Sequence, residues 1–156
     1  MKRLVTGLAL CTILLLINFS TPTQAEKTTA DEAAIRATVT DYIEGYFNSD
    51  AARMEKAIHP HYLKHTISGQ NGQLRMTETS GLQMVQDIRS NDIRSNGIRS
   101  KEGVHIPDRT QQITVLDVHG DIASAKLVMP HWADYLTLAK WNGEWKIVAV
   151  VLREND

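Results

Sequence analysis

Three histidines lie at even spacing in one short segment of the chain, at His59, His61 and His65. Neutral imidazole is a good ligand for zinc or copper, so this segment is a candidate metal site. In an extended strand, however, His59 and His65 lie about 20 Å apart, which is too far for one ion. The sequence also lacks the second cluster of ligands that a catalytic zinc needs. We therefore expect no bound metal.

Acid–base chemistry is the second possibility for this region, and His65 is the best candidate for it. A histidine titrates near neutral pH and is a suitable general base. Tyr42 and Tyr46 lie one turn apart on a predicted helix, where their hydroxyls can donate to a carbonyl or enolate oxygen. The alternative is that His65 lies at a rim and that both tyrosines belong to the core, the commoner role of tyrosine at helical spacing.

A carboxylate shares one face of a predicted strand with two leucines, because Asp134 alternates with Leu136 and Leu138. On a concave face, burial raises the pKa of Asp134, as at many functional sites. At the open end of the sheet, the carboxylate of Asp134 instead caps a backbone group or pairs with a cation.

The flat ring of Trp132 suits stacking on a planar heterocycle, but tryptophans also anchor cores and dimer interfaces. The candidate catalytic residues are His65 and Asp134, and the candidate ligand-binding residues are Tyr42, Tyr46, His61, Trp132 and Tyr135.

The first 25 residues have the pattern of a secretory signal peptide. Lys2 and Arg3 precede an apolar run, and Thr23-Gln24-Ala25 offers small residues to a signal peptidase. The run is shorter than the ~20 apolar residues of a membrane-spanning helix, which argues against an uncleaved anchor. We expect cleavage, a secreted or periplasmic location, and no stable membrane insertion afterwards. Residues 26–156 then form one domain, a usual size for a single core.

The charge of the chain disfavours some partners. Acidic residues number 18 and basic residues 17, and the predicted cleavage removes Lys2 and Arg3. The mature chain is therefore acidic, and neither nucleic acid nor an anionic membrane is favoured as a partner. The sequence has no Gly-rich phosphate loop, no G-x-S-x-G and no H-E-x-x-H, so nucleotide hydrolysis, serine hydrolysis and zincin chemistry are not supported. We expect no cofactor.

Helix signals occupy the first half of the mature chain. Residues 29–32 (T-A-D-E) have the spacing of a capping box and predict that the first helix begins there. Residues 48–50 (N-S-D) predict its end and cap a short second helix that ends near His59-Pro60. Thr79 or Ser80 is suited to cap a third helix. Strands are predicted at 62–67 and 73–77, separated by a turn.

The second half of the chain alternates between apolar and polar residues. Asn142-Gly143 joins two alternating runs and predicts a two-residue hairpin, because both turn residues must take positive φ. Helices followed by such a meander predict an α+β fold, with helices packed on one face of an antiparallel sheet.

Between the helical half and the strand half of the chain, the pentapeptide at 87–91 is repeated at 92–96. We interpret it as a tolerated duplication in a surface loop; the alternative is an anion-binding edge formed by its arginines.

The closing hairpin contains two recognisable sequence motifs, D-Y-L-T-L from Asp134 and N-G-E-W-K-I from Asn142. Together with A-I-H-P at 57–60, R-M-T at 75–77 and V-L-D-V at 115–118, it resembles the Putative lumazine-binding family of the nuclear transport factor 2-like superfamily. The resemblance covers about residues 34–153. It implies a cone-shaped α+β fold, in which a bent antiparallel sheet curls around the first helix and leaves a cavity. Isomerase-like relatives carry a general base near the position of His65.

The resemblance leaves three functions open. The first is a secreted or periplasmic protein that binds a small planar or apolar molecule. The second is an isomerase-like or dehydratase-like enzyme, in which His65 or Asp134 is the general base in the cone. The third is a dimeric accessory module without a ligand. Because one fold can serve many functions, the side chains that line the cavity must distinguish between these three. We also expect a homodimer.

Overall fold

The structure is a computed structural model, and it describes residues 24–70, 73–90 and 110–155. Within these ranges, three helices and six strands form an α+β fold, as the sequence predicted. The helices are α1 (Gln24–Asn48), α2 (Ala51–Ala57) and α3 (Gly81–Arg89). The strands are β1 (Ile58–Gln70), β2 (Gln73–Ser80), β3 (Gln112–His119), β4 (Ile122–Val128), β5 (Trp132–Trp141) and β6 (Glu144–Glu154). Helix α3 follows β2, and the other two helices precede the sheet.

The six strands form one sheet in the order β2-β1-β6-β5-β4-β3. Four of the five neighbouring pairs are antiparallel, but β1 and β6 run parallel. The prediction of an entirely antiparallel sheet is therefore wrong at this pair. The physical reason is that the sheet joins two antiparallel units, the β1–β2 hairpin and the β3–β6 meander. The relative direction of the two strands that join these units, β1 and β6, does not depend on the antiparallel pairing within each unit. Alternating runs that follow one another in the sequence predict hairpins, but they do not predict how strands from two separate units pair.

The helices pack on one face of the sheet, which we call the inner face. Helix α1 supplies a buried stripe at helical spacing, as predicted. Strands β4, β5 and β6 contribute alternate residues to the same core, while the intervening side chains lie on the outer face. The core residues of α1 are Ile35, Val39, Tyr42, Ile43 and Phe47, and those of β5 and β6 are Trp132, Leu136, Leu138, Trp145, Ile147, Val150 and Leu152.

Capping residues at two of the three helix starts behave as the sequence predicted. Asp50 accepts a hydrogen bond from the backbone N–H of Arg53 at 3.0 Å and begins α2. Ser80 accepts one from the backbone N–H of Gln83 at 3.2 Å and begins α3. The predicted start of α1 at Thr29 is wrong, because the helix already contains residues 24–28. Gln, Ala, Glu and Lys in that stretch are good helix formers, so they extend the helix past the capping signal.

The predicted two-residue turn of the last hairpin is confirmed. Asn142 has φ of 51° and Gly143 has φ of 85°, both in the left-handed region. The turn sets the register from Trp141–Glu144 to Leu138–Ile147, and an irregularity between Thr137 and Leu138 then shifts it by one residue, so that Trp132 pairs with Glu154. Strands β1 and β2 are longer than predicted, since they extend to Ile58 and to Ser80 respectively. Hydrogen bonds across the sheet add residues that their local sequence alone does not mark as strand.

Several predictions fall outside the described ranges. Residues 1–23, which hold most of the predicted signal peptide, and residues 91–109, which hold the second and third copies of the repeat, are among them. Both interpretations therefore stay predictions. The first copy of the repeat ends α3, where Ile88 is buried in the core. In the part of the chain that is described, no helix has the length and apolar character needed to cross a membrane.

Candidate functional site

A small cavity lies between α1 and the inner face of the sheet. Its volume is about 20 Å³, which is room for about one water molecule. The lining residues are Tyr42, Ile43 and Tyr46 from α1, Lys64 from β1, Trp132 and Asp134 from β5, and Leu152 from β6. The predicted hollow under the sheet is thus present, and it is small. Its wall is mostly aromatic and aliphatic, with one carboxylate and one amine.

On one side of the cavity, a chain of hydrogen bonds joins three buried side chains. The hydroxyls of Tyr42 and Tyr62 are 3.1 Å apart, and the Lys64 ammonium donates to the Tyr42 hydroxyl at 3.3 Å. The two aromatic rings lie 6.2 Å apart, centroid to centroid. Tyr42 comes from α1, whereas Tyr62 and Lys64 are two residues apart on β1. This spacing places both β1 side chains on the inner face, where they meet α1.

Asp134 also lines the cavity and is fully buried, with 0% of its surface exposed. One carboxylate oxygen, Oδ2, accepts a hydrogen bond from the Trp132 indole N–H at 3.1 Å. The other oxygen, Oδ1, is buried and has no hydrogen-bond partner among the described residues. Buried polar atoms without a partner are rare and costly, so this oxygen is a prominent feature of the site. The indole ring of Trp132 is in turn held by the ring of Phe47, 6.1 Å away.

Burial dominates the electrostatics of the cavity. Burial raises the pKa of Asp134, although the charge of Lys64 and the bond from Trp132 oppose that shift. Burial lowers the pKa of Lys64, and attraction to Asp134 and Glu154 opposes it in turn. Burial also raises the pKa of Tyr42 well above its ordinary value, so this hydroxyl stays protonated. Each group favours its neutral form, and each charge that does form acts strongly in this poorly solvated space.

His65 lies on the opposite side of the sheet. Because residues alternate along β1, the inner residues Tyr62 and Lys64 exclude His65 from their face. The His65 imidazole is partly exposed, and its Nε2 lies 3.4 Å from a carboxylate oxygen of Glu78 on β2. The prediction that this imidazole points into the hollow is wrong for that reason. Its immediate neighbour, Lys64, occupies the inner position instead.

Two other candidates lie away from the cavity. His61 is exposed and stacks on His59, with ring centroids 5.5 Å apart. Tyr135 is 53% exposed on the outer face, and its ring lies 5.3 Å from the Lys126 ammonium. Three residues separate His61 from the outer residue His65, and one residue separates Tyr135 from the outer residue Ala133. Because side chains alternate along a strand, these odd numbers place both His61 and Tyr135 on the outer face. Among the described residues, no three His, Cys, Asp or Glu side chains are close enough to hold a metal ion.

The structure therefore brings four of the seven candidates together, namely Tyr42, Tyr46, Trp132 and Asp134. Sequence reasoning missed Lys64 and Tyr62. A signal for them was present, because the segment 62–67 alternates, so Tyr62 and Lys64 had to share a face. The tyrosine at the start of that face marks it as the buried one. A lysine in a strand is usually exposed, and this expectation hid the signal.

The sequence and the structure can now be compared with known proteins. The family model described as Putative lumazine-binding matches residues 30–153. This chain belongs to that family. The match covers the described strands, except for the last residue of β6, and most of α1, which agrees with the resemblance seen in the closing hairpin. None of the curated proteins matches the chain.

Solved structures with the same fold are nuclear transport factor 2-like proteins. One of unknown function from Silicibacter pomeroyi DSS-3 has 22% identity and a TM-score of 0.57, covering 82% of this chain and 98% of its own. Another of unknown function from Shewanella baltica OS155 has 17% identity and a TM-score of 0.57, covering 87% and 99%. A ketosteroid isomerase-like protein from Erwinia carotovora atroseptica SCRI1043 has 13% identity and a TM-score of 0.52, covering 80% and 95%. At these identities, the similarity shows the fold alone.

Proposed function

We propose that this protein binds a small planar molecule at the cavity between α1 and the sheet. The observation that carries the proposal is the unpaired Oδ1 of Asp134, which is fully buried and lines the cavity. A ligand that donates a hydrogen bond there removes the cost of an unsatisfied buried acceptor. Membership of a family described as Putative lumazine-binding supports the same function.

The polar groups of the cavity define the edge of the ligand that they recognise. Asp134 offers an acceptor, and Lys64 and Tyr42 offer donors, in the wall of the same cavity. The complementary edge has an N–H beside a carbonyl oxygen, as in a cyclic imide or lactam. Pteridine and flavin rings carry such an edge on a planar body. The aromatic walls formed by Trp132 and Tyr46 suit the faces of that body.

The cavity is smaller than such a ring, so binding must enlarge it. A volume of about 20 Å³ is far below the roughly 300 Å³ of ordinary ligand pockets. Tyr46 is half-buried, whereas Tyr42 on the same helix is buried. We therefore expect Tyr46 to move on binding and to open the cavity towards solvent.

Fluorescence titration tests the binding proposal. Lumazine or riboflavin is added to the full chain, and quenching of tryptophan emission is followed, because Trp132 lines the cavity. The Asp134→Asn variant is expected to bind at least about tenfold more weakly, since its amide N–H₂ replaces the free acceptor and meets the N–H of the ligand. Tyr135→Phe, on the outer face next to Asp134 in sequence, is the matched control and should bind as the original chain does. Absence of quenching at millimolar ligand contradicts the proposal.

An enzyme of the isomerase or dehydratase kind is the second candidate function. The observation that favours it is that a buried carboxylate and two donors line one cavity. Asp134, with its raised pKa, is placed to take a proton from the carbon next to a carbonyl group, while Tyr42 and Lys64 hold the enolate oxygen. Exchange of such protons in deuterated water, followed by NMR, tests this activity. Exchange that is unchanged in Asp134→Asn argues against it.

The outer face of the sheet supports a homodimer. One row of cross-strand neighbours runs over five strands in the order Glu78, His65, Val151, Tyr135, Lys126. Its central residue, Val151, is 45% exposed, and Tyr135 beside it is more exposed still. A carboxylate and an ammonium end the row. A two-fold axis parallel to β6 at Val151 places Glu78 opposite Lys126 of the partner subunit, so the row is complementary to itself.

A charge swap tests this dimer. Glu78→Lys places two like charges opposite each other and should weaken the dimer in sedimentation experiments. Adding Lys126→Glu restores opposite charges and should restore the dimer. A monomer at all concentrations for the original chain contradicts the proposal, as does a double variant that remains as weak as the single one.

Secretion is also part of the proposal, and it rests on the predicted signal peptide. N-terminal sequencing of the protein recovered from the periplasm or the medium should begin at Glu26. A protein that retains Met1 in the cytoplasm contradicts it.

A further inference from the structure

Lys64 differs from most of the other lysines in the described part of the chain. Lys56, Lys140 and Lys146 each pair with a carboxylate at 2.7 to 2.8 Å. Lys64 is only 8% exposed, and its Nζ contacts a neutral phenol, Tyr42, at 3.3 Å. The amine thus lies in the wall of a cavity without a close counter-ion. Desolvation of this kind is a recognised way to make a lysine nucleophilic.

We propose that Lys64 forms a Schiff base with a small aldehyde or ketone that enters the cavity. The proposal rests on the cavity of the proposed function, but it does not require the imide-type ligand. Three features of the geometry carry it. The Nζ of Lys64 lines the cavity, the Tyr42 hydroxyl contacts that Nζ, and the carboxylate of Asp134 lines the same space.

The neutral amine is the reactive form, and the surroundings of Lys64 favour it. Burial lowers the pKa of Lys64, which increases the fraction of neutral amine at neutral pH. The Lys64 Nζ donates a hydrogen bond to the Tyr42 hydroxyl at 3.3 Å, and that hydroxyl can donate to the Tyr62 hydroxyl 3.1 Å away, so the lone pair of a neutral Nζ stays free. Such a bond orients the amine for attack.

The reaction balances with the groups that line the cavity. The lone pair of the Lys64 Nζ forms the new C–N bond, and the carbonyl π electrons move to oxygen. Transfer of one proton from nitrogen to oxygen gives a neutral carbinolamine. Protonated Asp134 then gives its proton to the hydroxyl, which leaves as water while the nitrogen lone pair forms the C=N bond. The products are an iminium ion on Lys64, a water molecule and the Asp134 carboxylate as counter-ion.

The size of the cavity limits the carbonyl compound. A volume of about 20 Å³ holds about one water molecule, so a carbonyl compound enters only when the cavity widens, and the smallest compounds need the least widening. Short-chain aldehydes fit this limit best, because the carbonyl carbon of an aldehyde carries only one substituent besides hydrogen. Acetaldehyde is a suitable probe.

Reductive trapping tests the proposal. The full chain is incubated with acetaldehyde and cyanoborohydride at neutral pH, which converts a Schiff base into a stable ethyl-lysine. Peptide mass spectrometry then gives the rate of labelling at Lys64 and at Lys126. Lys126 is the matched control, because it lies on a strand of the same sheet but on the outer face. We expect Lys64 to be labelled faster than Lys126, because burial lowers the pKa of Lys64 and so increases its fraction of neutral amine.

Two variants and one comparison complete the test. Tyr42→Phe should slow labelling of Lys64 and leave that of Lys126 unchanged. Lys64→Met should remove only the fast site. Labelling of Lys64 that is equal to or slower than that of Lys126 overturns the proposal, even if lumazine quenches the tryptophan fluorescence. Fast labelling of Lys64 without such quenching supports the nucleophile and contradicts only the proposed planar ligand.

Discussion

The two faces of β1 carry neighbouring residues with opposite surroundings. Lys64 faces α1 and is buried in the cavity wall, whereas His65 faces outward and lies beside the exposed Glu78. The residue type that is usually chosen for chemistry at neutral pH, histidine, lies on the wrong side for it. Burial instead changes the behaviour of the lysine. Side-chain direction, rather than residue type, decides which of the two belongs to the candidate site.

Strand β5 repeats this contrast. Asp134 is fully buried with one unpaired oxygen, and Tyr135, the next residue, lies on the outer face next to Lys126. The inner face therefore collects groups whose charges are costly and strongly coupled, because little solvent separates them. The outer face collects groups whose charges are screened by water and salt. The two faces should respond differently to the same kinds of mutation.

The largest difference is expected from packing. Leu138 is 0% exposed on the inner face, so Leu138→Ala should lower the free energy of unfolding by about 2 to 5 kcal/mol. Thr137→Ala, one residue away and exposed, should change it by less than about 0.5 kcal/mol. Urea unfolding followed by circular dichroism measures both. Equal effects at the two positions mean that β5 does not separate the faces as described.

The next effect concerns coupling between Lys64 and Asp134. Lys64 and Asp134 line the same cavity, and the charge of each one shifts the pKa of the other. The destabilisation caused by Lys64→Met and Asp134→Asn, summed over the two single variants, should therefore exceed that of the double variant. A double-mutant cycle is expected to give a coupling energy of about 0.5 to 3 kcal/mol. Urea unfolding of all four proteins provides the cycle. A coupling energy of zero shows that Lys64 and Asp134 do not interact energetically.

The pH dependence of stability should report the buried carboxyl. Because burial raises the folded-state pKa of Asp134 above 3.8, its stabilising contribution is present below 3.8 and is lost as the pH rises through the folded-state pKa. Asp134→Asn cannot ionise. The stability of the original chain minus that of the variant should therefore fall as the pH rises above 3.8. Thr137→Ala, which changes no titratable group, should show a constant difference over that range.

The smallest effect is expected on the outer face. His65 and Glu78 are 3.4 Å apart, but both are partly exposed. A double-mutant cycle of His65→Ala and Glu78→Ala should give about 0 to 1 kcal/mol, and this energy should vanish at high salt. An energy as large as that of the Lys64–Asp134 cycle contradicts the contrast between the faces.

Local features of the fold were predictable because their causes are local. Asp50 and Ser80 cap the helices that follow them, and Asn142-Gly143 forms the expected turn. Each depends on a few neighbouring residues and their backbone geometry. The parallel β1–β6 pair was not predictable in the same way, since it joins residues almost ninety positions apart and leaves no local pattern.

Four of the seven residues that line the cavity were predicted from the sequence. Tyr42 and Asp134 were identified because the helical and strand periods place each on an apolar face. His65 was chosen and Lys64 was missed, although alternation had already placed them on opposite faces. The period of a strand states which residues share a face, but it does not state which face the helices cover.

The amino-acid sequence by itself determined the caps of α2 and α3, the final turn and the family, because these depend on neighbouring residues or on their order. Only the tertiary structure decided that Lys64, Tyr42 and Asp134 line one cavity and that Tyr62 contacts Tyr42 beside it. It did so by packing α1 against one face of the sheet. That contact joins residues distant in sequence, and it alone creates the burial that changes their chemistry.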